Sequence, residues 1–108
     1  MNAPSFSVIA EQALEQIAER LEELEALEDA DIDMIDGVLT VEFEDGSQMI
    51  LNRQEAASQI WLASPEGPAH FGQTGTGDEW LNDKNDEELM RVLGRIISNK
   101  TGTTVSLV

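Results

Sequence analysis

Apolar residues recur every three or four positions near both ends of this chain and every second position between them, a change of period that leaves few folds open. Residues 5–27 predict one long amphipathic helix, with Phe6, Ile9, Ala10, Ala13, Leu14, Ile17, Leu21 and Leu24 forming its stripe. Pro4 and Ser5 suit its start. At Asp31 the period shortens to that of a strand. Leu39, Val41 and Phe43 then share one face of a strand over 38–44. Asp45-Gly46 predicts a hairpin turn, and residues 48–52 return antiparallel. Further strands are expected at 59–63, at 69–71 and at 79–82, with turns through the glycines and prolines of 64–78. Asn85, with Glu88 three residues on, resembles a capping box for a second helix. Leu89, Val92, Leu93, Ile96 and Ile97 form that helix's stripe, and Asn99, Lys100 and Gly102 mark its end. The tail after it is short enough to pack along the helices.

Helix, six strands, helix (α-β-β-β-β-β-β-α) predicts an α+β two-layer sandwich, both helices on one face of an antiparallel sheet. With 108 residues, 41% of them hydrophobic, the chain suits a single domain over 1–108 with one core.

Charge narrows the function. Twenty-two acids face six bases, a formal net charge of −16 that repels nucleic-acid phosphates and anionic lipid and favours cations and basic protein surfaces. Without cysteine the chain offers no disulfide, thiolate metal site or cysteine nucleophile. No segment approaches the roughly 20 apolar residues that span a bilayer, and the N-terminus lacks a signal-peptide pattern, so a cytoplasmic protein is expected. Catalysis is not expected either: no Ser/His/Asp set or HExxH motif is present, and Gly72, Gly75 and Gly77 lack the following helix of a phosphate-binding loop.

Half of the acids fall in residues 11–36, with Arg20 the single cation among them. Glu15, Glu19, Glu22 and Glu23 share one side of the first helix, and Glu25, Glu28, Asp29, Asp31 and Asp33 continue the run into the first strand. Like charges at this spacing weaken a helix, and acids near its C-terminus oppose the macrodipole. Folding alone gains nothing from the arrangement. Oxygen donors without nitrogen or sulfur suit magnesium, calcium, manganese or iron, and without the glycine and spacing of an EF-hand they predict shallow, weak, multiple sites. A basic protein surface would fit the same ridge. A solvated face that maintains solubility is the plain alternative.

Trp61 either joins the core or, if Ile60 and Leu62 point inward, stands on the outer sheet face near Asn52 and Gln54 as an interface anchor. His70, the only histidine, does not by itself make a metal centre. Phe71 and Trp80 are expected in the core or at its rim, and Asp78 and Glu79 as strand-end acids.

Asp31-Ile32-Asp33, the runs 37–41 and 52–55, Gln59-Ile60-Trp61-Leu62-Ala63-Ser64 and Gly77-Asp78-Glu79-Trp80 together resemble bacterial members of the frataxin family, over about residues 6–107. The N-R-Q-x-x-x-x-Q-I-W-L-A run is the most specific of these. The resemblance implies weak binding of Fe2+ or Fe3+, with other divalent cations able to compete, at Glu15, Glu19, Glu22, Glu23, Glu25, Glu28, Asp29, Asp31 and Asp33. It implies docking onto the cysteine desulfurase and the scaffold protein of iron–sulfur cluster assembly through Glu19, Glu22, Glu23, Asn52, Gln54 and Trp61, as a regulator or iron adaptor. A monomer is expected. The alternatives are iron storage with ferroxidase activity, which would call for an iron-dependent oligomer, and an acidic adaptor with no physiological metal.

Overall fold

The computed structural model describes residues 5–73 and 79–107. Helix α1 (Phe6–Glu22) leads into six strands, β1 (Asp31–Ile35), β2 (Val38–Glu42), β3 (Gln48–Gln54), β4 (Gln59–Ser64), β5 (Gly67–Gln73) and β6 (Trp80–Asn82), and helix α2 (Leu89–Thr101) follows. Each strand pairs antiparallel with the next, so spatial order equals chain order, β1 to β6. Both helices pack on one face. The predicted α+β sandwich holds, with β3, β4 and β5 longer than expected.

The core lies between the layers. Ala10, Leu14, Ile17 and Leu21 of α1 and Leu89, Val92, Leu93, Ile96 and Ile97 of α2 are buried against Leu39, Val41, Met49, Leu51, Ile60, Leu62, Phe71 and Trp80. Phe6 meets Trp80 edge-on, with ring centroids 6.0 Å apart. The tail does pack along the helices. Leu107 is buried, its carbonyl accepts from Arg20 Nη2 at 3.1 Å, and a Cβ on Gly94 would lie 3.2 Å from the Val105 carbonyl.

Two helix boundaries differ from expectation. The first helix stops at Glu22 rather than running to Leu27. Position 25, four residues beyond the buried Leu21, is a glutamate that a continued helix would turn toward the core. Instead Leu24 adopts an extended conformation, and a 3₁₀ turn (Glu25–Leu27) buries Leu27 while Glu25 stays exposed. Asn85 does not cap the second helix. Its carboxamide accepts from Glu87 N and donates to the Glu87 carboxylate, and Asp86 in the left-handed region turns the chain away from a helix there. Glu88 is the N-cap, accepting from Met90 N at 2.9 Å. The expectations resting on Pro4, Gly75, Gly77 and Asp78 lie outside the described residues.

Candidate functional site: an acidic ridge and an uncharged sheet face

The ridge is built by three successive elements. Burying Leu14, Ile17 and Leu21 turns Glu15, Glu19, Glu22 and Glu23 to solvent. The 3₁₀ turn carries Glu25 and leads to Glu28 and Asp29, held by Leu27 as its buried pin. In β1 the alternation then sends Ile32 and Met34 toward the core and Asp31 and Asp33 onto the sheet's outer face. Asp31 stands directly opposite Glu42, a like-charge pair that opposes strand pairing.

All nine predicted acids are exposed, and among the described residues no ion pair reaches any of them. Three of the basic residues pair with acids elsewhere. Arg53 pairs with Glu11 at 3.1 Å and Glu55 at 3.5 Å, Arg95 with Glu66 at 2.9 Å and Glu87 at 2.5 Å, and Lys100 with Asp45 at 2.7 Å. Arg20, the cation within the ridge sequence, donates to the Leu107 carbonyl. Among the described residues no three carboxylates or histidines converge as a preformed metal cage. Open carboxylates of this kind offer hard oxygen donors to cations that keep much of their water.

One part of the ridge escaped sequence reasoning. Glu25, Glu28 and Asp29 face Glu44, Asp45 and Lys100 across an open cleft of about 430 Å³. The Lys100 ammonium, then the Ser47 hydroxyl and amide, hold the Asp45 carboxyl well below the usual carboxylate range. Asp45-Gly46 signalled the turn in the sequence, but nothing local signalled that the end of α2 would reach it.

The second patch lies on the opposite layer. Asn52, Trp61 and His70 form one cross-strand row, and Gln54 stands opposite Gln59. Ile60 and Leu62 are buried, so Trp61 faces outward and is 37% exposed. Gln54 Nε2 donates to Asn52 Oδ1 at 3.3 Å, and Trp61 Nε1 to Gln59 Oε1 at 2.9 Å. Ile35 and Val38, paired across the β1–β2 turn, extend the row with exposed apolar surface. Arg53, between Asn52 and Gln54, points the other way, toward Glu11 of α1. The N-R-Q run thus divides by strand alternation into two surface amides and one interlayer clamp.

The expected partner-binding residues therefore do not form one flat surface. Glu19, Glu22 and Glu23 sit outside the helix layer, whereas Asn52, Gln54 and Trp61 sit outside the sheet. Asp31 and Asp33 join the two round the β1 edge, three strand spacings or roughly 14 Å from the Trp61 strand.

Residues 1–103 match the family model described as a frataxin-like domain. The chain belongs to the frataxin family. It is 60% identical over 103 residues to the iron–sulfur cluster assembly protein CyaY of Thioalkalivibrio sulfidiphilus, covering 95% of this chain and 96% of that one. Among solved structures it is similar to a frataxin from Psychromonas ingrahamii, at 31% identity and a TM-score of 0.82 over 95% of this chain and 94% of the other. A trimeric frataxin from the yeast Saccharomyces cerevisiae, in a ferrous complex, is similar at 30% identity and a TM-score of 0.78, covering 95% and 91%. No helix among the described residues is long and apolar enough to cross a membrane.

Proposed function

We propose that this frataxin acts in the cytoplasm as an iron-binding regulator of iron–sulfur cluster assembly, holding ferrous or ferric iron weakly on the ridge while docked on the cysteine desulfurase. The observation that carries this is the ridge itself: nine exposed carboxylates without an ion pair among the described residues, while Arg53, Arg95 and Lys100 pair with acids elsewhere. The 60% identity to a cluster assembly protein and the ferrous complex of the yeast relative support it.

Iron is cargo rather than a resident cofactor. Glu15, Glu19, Glu22, Glu23, Glu25, Glu28, Asp29, Asp31 and Asp33 would share it through one or two carboxylates at a time, with water completing the shell. A basic groove on the desulfurase meets Glu19, Glu22 and Glu23. Each bound cation cancels part of the charge that attracts the partner, so iron occupancy tunes docking. Because Asn52, Gln54 and Trp61 lie on the other layer, one flat partner surface cannot cover both patches. The sheet face is then the contact for the scaffold protein seated on the same desulfurase, with Trp61 as the aromatic anchor.

The test is the initial anaerobic rate of cluster formation by desulfurase, scaffold and ferrous iron, with and without this protein. The expected outcome is a rate change that tracks iron and disappears on charge reversal at Glu19, Glu22 and Glu23. No change at any iron level would overturn the regulatory role.

A further inference from the structure

His70 has no part in the ridge, yet its surroundings are specific. It stands directly across from Trp61 in the β4–β5 pair, and the two rings stack with centroids 4.4 Å apart and planes 22° from parallel. Asp83, just past β6, donates its backbone N–H to the His70 carbonyl at 2.9 Å, which holds its side chain beside the imidazole. Asp83 Oδ2 lies 3.7 Å from His70 Nδ1 and accepts from Gln59 Nε2 at 3.2 Å. The Gln59 carbonyl oxygen in turn accepts from Trp61 Nε1 at 2.9 Å. The four side chains stand in a ring with three links made, indole to carboxamide, carboxamide to carboxylate and imidazole onto the indole face, and the carboxylate beside the imidazole as the fourth.

Gly72, opposite Gln59, has open space where a Cβ would stand, so nothing from β5 blocks the carboxamide's reach toward Asp83. Every link but one is made. The 3.7 Å separation between Asp83 Oδ2 and His70 Nδ1 exceeds a hydrogen bond, so the carboxylate stands beside the imidazole without bonding to it. Among the described residues of the facing strands, Trp61 and Gln59 on β4 and Leu81 on β6 are uncharged, which leaves Asp83 as the charged partner.

We propose that Gln59, His70 and Asp83 are positioning residues for Trp61, with the imidazole stack and the Gln59 hydrogen bonds holding the indole flat on the sheet. This rests on the role given above to Trp61 as the scaffold-side anchor.

The indole N–H resonance of Trp61, identified by its loss in Trp61→Phe, reports on the ring directly in 15N-labelled protein. It is expected to move in Gln59→Ala, which removes the indole's acceptor, and in His70→Ala, which removes the stacked ring. The change should be smaller in His70→Phe, which keeps a stacked ring, with thermal unfolding confirming that the variants fold. A Trp61 resonance that stays in place in Gln59→Ala and His70→Ala overturns the positioning role. The second arm measures affinity for the desulfurase–scaffold complex, expected to weaken in His70→Ala and less in His70→Phe. If the resonance moves as described but Trp61→Phe binds the complex as well as the wild type, the positioning stands and the docking role of Trp61 fails.

Discussion

Removing one carboxylate from the ridge should make this protein more stable. Glu19 has Glu15 four residues before it, and Glu22 and Glu23 three and four residues after it, all exposed on α1 and its C-cap. Gln16 completes its surroundings and carries no charge. Like charges at these spacings cost about 0.2–0.5 kcal/mol per pair. Glu19→Gln relieves three such pairs and keeps the shape of the side chain, so the expected gain is roughly 1 kcal/mol at low ionic strength. For a domain of this size that corresponds to about 4 °C in melting temperature. Urea denaturation at low and at high salt provides the measurement. The gain should fall towards zero in high salt, because exposed charges are screened there within about one side-chain length. Divalent cations should stabilise the wild type more than the variant, since they bind the folded ridge and mass action adds their binding energy to folding. A variant no more stable than the wild type at low salt would refute the reasoning and return the ridge to a plain solvated face. The same result would remove the inference that the acids are retained at a cost to folding.

Two further outcomes follow from particular contacts. Gly37→Val should cost roughly 2–3 kcal/mol in chemical denaturation, because the residue sits at φ +78° and a Cβ would lie 3.0 Å from the Arg53 guanidinium. In an Arg53→Ala background the cost should drop towards the backbone strain alone, and an unchanged cost would show that the contact is not responsible. For Asp45 the carboxyl is held low in the folded state, chiefly by Lys100. Its contribution is therefore present above the ordinary aspartate value of about 3.9 and lost as pH falls through the lower folded value. Asp45→Asn should lower the melting temperature at neutral pH, with the deficit closing only below about pH 4, whereas a deficit constant through the acid range would exclude the Lys100 interaction as its source.

Local signals carried the elements well where period and turn chemistry agreed. Asp45-Gly46 turned the chain as expected, with Phe43 N donating to the Ser47 carbonyl at 2.8 Å. The alternation of Ile60, Trp61 and Leu62 set the indole outside once the strand was in place. Signals failed where a longer-range demand overruled them. Leu24 leaves a helix its neighbours would continue, because Leu27 is needed in the core and Glu25 is not. Asn85 has a good capping residue's chemistry but spends it on Glu87, since the chain must first turn through Asp86 after β6.

Helix, six strands and helix, a dense row of acids with one cation in the first third, and the resemblance to the frataxin family are all legible in the order of the residues. Those properties reside in period, composition and short motifs, which need no partner elsewhere in the chain. Which side chains meet depends on how the helices dock on the sheet and on the strand register. That packing draws Arg53, Arg95 and Lys100 to Glu11, Glu66, Glu87 and Asp45, away from the ridge acids. It put the ridge and Trp61 on opposite layers, and it brought Gln59, Trp61, His70 and Asp83 into one ring across β4, β5 and the turn after β6. Cross-strand register and helix placement are set by burial of the whole core, and no local window of sequence contains that sum.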